Sequence, residues 1–169
     1  MTDNVQQMVV EVAAGDPYAV GPDLVAAGAG ARASELGAPE RAVAEADPVA
    51  IVYTDAAPLA VVALEPDAEG LRTAAARAVR ACRDGGTVAW ALDPSLPVPV
   101  SEQVRALAEG AVIGGYEGRR WRSGGLPRGV ERFVICGDGD DLAPVADRAA
   151  LIGRWTNAAR ELVSAAGFP

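Results

Sequence analysis

The sequence predicts an α/β fold, a mixed and mainly parallel sheet between helices, on three observations. Short apolar or β-branched runs at 8–13, 49–54, 59–64, 87–92 and 130–136 alternate with longer stretches whose apolar residues recur at helical spacing. Strand–helix–strand order implies crossover connections and hence parallel pairing. The runs 49–54 and 59–64 are separated only by Asp55-Ala56-Ala57-Pro58, so those two can only turn back as an antiparallel hairpin. With 169 residues, half of them apolar, a single domain spanning 1–169 around one core is expected.

Each element has its own signal. Met8 to Ala13 reads as a strand stopped by Gly15-Asp16-Pro17. Pro22-Asp23 then opens an Ala-rich stretch that predicts a helix to Leu36, weakened by Gly28 and Gly30 and ended by Gly37-Ala38-Pro39. After the hairpin, Asp67 is the N-cap of the clearest helix. Its stripe is Leu71, Ala74, Ala75, Ala78, Val79 and Cys82, with Arg80 and Arg83 at the negative end of the dipole and Gly85-Gly86 as terminator. Thr87 to Leu92 is a strand stopped by Asp93-Pro94. Ser101 is expected to cap the next helix, which buries Val104, Leu107, Ala108, Ala111, Val112 and Gly115; Gly110, Gly114 and Gly115 leave room for another backbone to approach. Val130 to Cys136 is the final strand. A long helix follows the acidic turn Gly137–Asp141, with Leu142, Val145, Ala149, Ile152, Thr156, Ala159 and Val163 expected on its packed side.

Composition excludes several kinds of chemistry. There is no His, which removes the usual general base, the commonest metal ligand and every Ser-His or Cys-His arrangement. There is no Lys either: all 15 basic residues are Arg, whose guanidinium stays protonated. Ser101, Ser123 and Ser164 therefore have no base partner. Cys82 and Cys136 sit on apolar patterns and read as buried, reduced thiols. No apolar run approaches the roughly 18 to 20 residues that would span a bilayer. Met1–Gln7 carries Asp3 but none of the cations of a secretory or transit signal, so a cytoplasmic location is expected. A net charge of −8 opposes nucleic-acid binding.

Several stretches resemble, in order, the amino-terminal domain of the leucyl aminopeptidase (cytosol aminopeptidase) family. Leu71 to Arg83 is similar to the helix after that domain's hairpin, and Val88-Ala89-Trp90-Ala91-Leu92 to the strand that follows. Glu109-Gly110-Ala111-Val112-Ile113-Gly114-Gly115-Tyr116, then Arg119 to Ser123, resembles a Glu-Gly, small-residue and Tyr run leading to an aromatic-basic pair. Glu131 to Ile135 resembles the next strand, and Trp155 to Val163 the helix that joins this domain to the catalytic one. The resemblance covers roughly residues 59–165. It implies a macro-domain-like, three-layer α/β/α sandwich. It also implies a parent metallopeptidase that removes amino-terminal residues from peptides with two divalent ions, manganese or zinc, in hexamers built around the catalytic domains. The family's linker runs on through an Asn-Pro-Pro-Asn type turn, whereas Ser164 to Pro169 reads differently. The expectation is therefore a domain without the catalytic half, holding no cofactor of its own, whose partners are that half or other subunits.

Other readings compete at particular residues. Asp67-Ala68-Glu69-Gly70 coincides with part of the family's metal-site string, but its flanks differ and it sits at a helix start, where acids favour the dipole. Gly137–Asp141 could offer oxygens to a cation, yet it lacks the later acid of a calcium loop and reads as a capping turn. The Arg119, Arg120, Trp121, Arg122, Arg128 segment pairs cations with an aromatic ring, as single-strand binders do. With Trp155 it is read here as an interaction surface for the catalytic domain or another subunit. The alternative is a free-standing macro-like module that binds a nucleotide-type ligand such as ADP-ribose.

Overall fold

The computed structural model describes residues 7–82, 84–116 and 129–166, with side chains through Val163. Strands β1 (Val9–Ala13), β2 (Leu24–Gly28), β3 (Val49–Val52), β4 (Leu59–Val62), β5 (Gly86–Ala91) and β6 (Val130–Cys136) form one sheet in the order β1-β6-β5-β2-β4-β3. Only β3 and β4 pair antiparallel, with Val49 opposite Val62 and Val52 opposite Leu59; the other neighbours are parallel. The expected hairpin and mainly parallel sheet are both present.

Helices cover the sheet unequally. Three long ones, α3 (Ala68–Ala81), α4 (Val100–Gly114) and α5 (Leu142–Ala166), follow β4, β5 and β6. α3 and α4 lie on the face carrying Ala26, Val62, Val88, Trp90, Phe133 and Ile135, which form the main core with them and with the first part of α5. The other face presents Val25, Ala27, Leu59, Val61 and Ala91 to two short helices, α1 (Ala31–Glu35) and α2 (Glu40–Ala44). A 3-10 turn over Pro17–Val20 packs beside Ala89, Val134 and Cys136, with Val20 against them.

The helix expected from Pro22 to Leu36 is largely a strand. Leu24 to Ala27 are buried in the middle of the sheet, hydrogen-bonded to β4 on one side and β5 on the other, and only Ala31–Glu35 is helical. Alanine favours helix by propensity, but a strand buried on both faces selects for small apolar side chains, and here tertiary packing prevails. Asp23 locks the entry: its Oδ2 accepts from the Thr87 amide at 2.7 Å, and it lies where Gly86, at φ 91, has no side chain. The helix α2 was not foreseen.

Two further expectations shift. Ser101 lies inside α4 and does not cap it; Pro99 holds the N-cap position without a side-chain bond. The end of the preceding loop is fixed instead by buried Gln103, whose Nε2 donates to the carbonyls of Asp93 and Val98, both at 2.9 Å. In α5 the packed side is Leu142, Ala146, Ala149, Ala150 and Gly153, while Ile152 and Val163 are exposed. This helix is apolar around most of its girth, so its period does not choose a face. The choice falls to fit: a Cβ on Gly153 would sit 3.0 Å from Val112, so the small residues turn inward where α4 comes close.

Asp67 does cap α3, its Oδ1 accepting from the Gly70 amide at 2.7 Å, and Leu71, Ala74, Ala75, Ala78 and Val79 are buried. Cys82, expected with them, is the C-cap and half-buried; Cys136 is fully buried, and both thiols are free.

Candidate functional site

The carboxylates singled out in the sequence turn out to hold structure together. Asp67 is engaged with the α3 amino terminus, and Glu69 pairs with Arg72 one turn on. They border an open cleft of about 260 Å³ with Glu65, Thr73 and Arg77, and the Arg77 guanidinium donates to the Ala63 carbonyl at 3.2 Å. The Gly137–Asp141 turn is exposed at Asp138, Asp140 and Asp141. Asp141 takes the left-handed conformation at φ 55, which turns the chain into α5. Among the described residues no three His, Cys, Asp or Glu side chains gather as metal ligands, so this set does not fit a two-metal centre.

The densest polar cluster was not anticipated. Buried Glu109 on α4 accepts from Arg72 Nε across the α3–α4 contact at 2.7 Å and from Arg105 Nη1 at 3.0 Å; Arg105 also pairs with Glu102. The local pairs were visible as Glu69/Arg72, Glu102/Arg105 and Arg105/Glu109 at helical spacing, but the link across 37 residues was not. Hydrogen bonding from Arg105 holds Glu102 below its ordinary range, and the bond to Glu102 is the main cause of the raised Arg105 value. Burial tends to lower Arg72, yet its bonds to Glu109 and Glu69 outweigh that and raise it. Every group here is satisfied by a neighbour, the arrangement of a helix clamp. A general acid or base would need a freer, perturbed carboxyl.

The thiols are equally quiet. Burial, reinforced by Asp23 and Asp84, pushes Cys82 up to about 11, and burial with Asp16 does the same for Cys136. Neither is a thiolate at neutral pH.

At the carboxyl ends of the parallel strands, where a ligand crevice forms in open α/β sheets, leucines close onto glycines. Leu64 lies over Gly28, Leu92 meets Gly137 with its Cβ 2.8 Å from where that residue's Cβ would be, and the Leu142 Cδ1 lies 2.7 Å from where a Gly139 Cβ would be.

The expected interaction residues separate. Arg119, Arg120, Trp121, Arg122 and Arg128, like Arg83 and Ser123, lie outside the described residues. Trp155 is on α5 and 69% exposed, alongside Leu162 (72%), Val163 (74%) and half-exposed Leu151 and Ile152. These aliphatic neighbours were missed because the sequence pattern allowed their burial.

No family profile matches the chain. It is 28% identical over 98 residues to a probable cytosol aminopeptidase of Solibacter usitatus (strain Ellin6076), a match covering 58% of this chain and 20% of that protein. Among solved structures, the bottromycin maturation enzyme BotP superposes with a TM-score of 0.65 at 26% identity, over 88% of this chain and 33% of that one. The chain is related to the leucyl aminopeptidase family.

A tomato leucine aminopeptidase mutant shares the fold, with a TM-score of 0.69 over 94% of this chain and 37% of that one, at 16% identity. The fold is thus that of a leucyl aminopeptidase amino-terminal type domain, as the resemblance implied. The chain spans a fifth of the curated relative and about a third of the structural ones. No helix among the described residues is long and apolar enough to cross a membrane.

Proposed function

We propose that this chain is a non-catalytic amino-terminal domain of a leucyl aminopeptidase type metallopeptidase, acting in subunit assembly or in shaping access to the active site. The parent protein, in the cytoplasm, would remove amino-terminal residues from peptides with two divalent ions held outside this fold. The observation that carries the reading is the extent of the match, which takes in most of this chain but only a third of BotP. The engagement of Asp67, Glu69, Glu102 and Glu109 in caps and ion pairs supports it. So does the leucine packing over Gly28 and Gly137, which favours an accessory role over a nucleotide-binding module.

The test is to incubate the purified chain with manganese or zinc and leucine p-nitroanilide, and separately to titrate it with ADP-ribose in a calorimeter. The expected results are no release of p-nitroaniline and no binding heat. Metal-dependent turnover would overturn the accessory role, and micromolar ADP-ribose binding would favour the module.

A further inference from the structure

The sheet has an open edge at β3. The Pro48 carbonyl accepts from the Ala63 amide at 3.0 Å, and Ala50 and Val52 stand opposite Val61 and Leu59. By alternation, the amides and carbonyls of Val49 and Ile51 point away from β4. Among the described residues, none of these groups, nor those of Tyr53, makes a backbone bond outside the ladder. Proteins ordinarily blunt such an edge with a charge, a proline or a bulge. Val49–Val52 has none of these, and Ile51 is 41% and Tyr53 85% exposed. The opposite edge, β1, is guarded: Glu11 on it pairs with Arg132, and the Met8 carbonyl just before it accepts from Arg154.

A charged cleft lies beside that edge. Val49 packs on the α3 side of the sheet and Ala50 and Val52 on the other, so Ile51 faces the α3 side with Val49. On that side, next to the start of β3, is the open cleft of about 260 Å³ lined by Ala63 and Leu64. Its rim holds Glu65, Asp67 and Glu69 against one cation, Arg77, which is already bonded to the Ala63 carbonyl. We infer that the β3 edge binds an extended peptide by strand addition, with a Lys or Arg side chain of that peptide entering the acidic cleft. On the accessory-domain reading above, on which this rests, the occupant is the body of a peptide substrate of the larger protein. The backbone bonds serve any extended sequence; apolar side chains beside Ile51 and Tyr53, together with the cation, set the preference.

A second copy of the chain fits the edge poorly. Antiparallel pairing of two β3 strands about Ile51 sets Asp47, four residues before it, against the copy's Asp55, four residues after it, and like charges directly opposite destabilise. A net charge of −8 adds to the repulsion. A four-residue strand also falls far short of the ~800 Å² per partner of a standard stable dimer. The same two aspartates, at either end of β3, suit a neutral or basic peptide.

The experiment titrates the full chain into a short fluorescent peptide of alternating Thr and Val with one Arg, followed by anisotropy. Saturable binding with a Kd below about 1 mM is expected. N-methylation of every second peptide amide should weaken it about tenfold in one phase and spare it in the other, since only one set of amides faces the edge. Ile51→Pro removes only an outward amide, so it should melt with the wild type and bind about tenfold more weakly. Glu65→Gln should weaken the Arg peptide about threefold and leave its Gln counterpart unchanged. If Ile51→Pro does not fold, the two methylated peptides decide the matter on the wild-type chain. Absence of saturable binding, equal binding by both methylated peptides, or an Arg peptide indifferent to Glu65→Gln overturns the inference. So does a concentration-dependent dimer lost in Ile51→Pro, which makes the occupant a second copy. Each of these outcomes leaves the accessory role standing; leucine release by the isolated chain overturns the role itself.

Discussion

Glu109 and Arg72 meet across the α3–α4 contact at 2.7 Å, beside a place where the two helices are close enough to exclude a methyl group. A Cβ on Gly110 would stand 2.8 Å from Arg72 Cα and nearer still to its carbonyl oxygen, and one on Gly114 would stand 2.5 Å from Ala76 Cβ. The close approach brings the guanidinium within reach of the carboxylate, and the ion pairs fix the register of the two helices.

Gly110→Ala should therefore destabilise the domain by about 3 kcal/mol, since the methyl meets backbone that cannot rotate away. Gly30→Ala, where a Cβ meets nothing within 4 Å, should change stability by no more than about 0.5 kcal/mol. Urea denaturation of the two variants checks both values.

Glu109→Ala should cost about 1 to 2 kcal/mol in the same measurement. The carboxylate is buried, but Arg72 and Arg105 are partly exposed and recover some hydration, which keeps the loss below that of a fully buried pair. Glu109→Gln keeps one acceptor and should lose less.

Asp67→Ala removes the side-chain acceptor for the Gly70 amide and should cost about 1 kcal/mol, read as a fall in the urea midpoint without a change in slope. Restoration by Asp67→Ser or Asp67→Asn would confirm a cap.

The dependence on pH has a sign at each end. Folding lowers the Glu102 pKa through Arg105, so its contribution is present above the ordinary carboxyl value and is lost as pH falls through the lowered one. Folding raises both thiols, so their contribution is complete below 9.0 and is lost as pH rises toward about 11. Urea midpoints should fall on both sides of a neutral plateau, and Cys136→Ala should flatten the alkaline limb. In the folded chain both thiols should react slowly with a thiol-exchange reagent at pH 7.

Much of this was legible in the sequence because local and tertiary preferences agree. Asp67 and the stripe from Leu71 to Val79 state both the start and the buried side of α3, and β6 is bounded by glycines at 129 and 137. Gly110 and Gly114 announced a close helix contact before its partner was known. Where the preferences conflict, the sequence misleads. Leu24–Gly28 carries a helix-favouring composition in a strand buried on both sides. On α5 apolar residues on nearly every side conceal which ones are covered, so Ile152 and Val163 were placed on the wrong side. The Glu109 clamp depends on a partner 37 residues away, which no local spacing reveals. Only Trp155 of the expected interaction residues can be placed on the fold; the arginine-rich segment lies outside the described residues.

The most direct test of the central claim is native mass spectrometry of the purified chain after equilibration with manganese, with a leucine-initiated peptide present. The account predicts a metal-free mass and an intact peptide. Two tightly retained ions per chain and a peptide shortened from its amino end would contradict it.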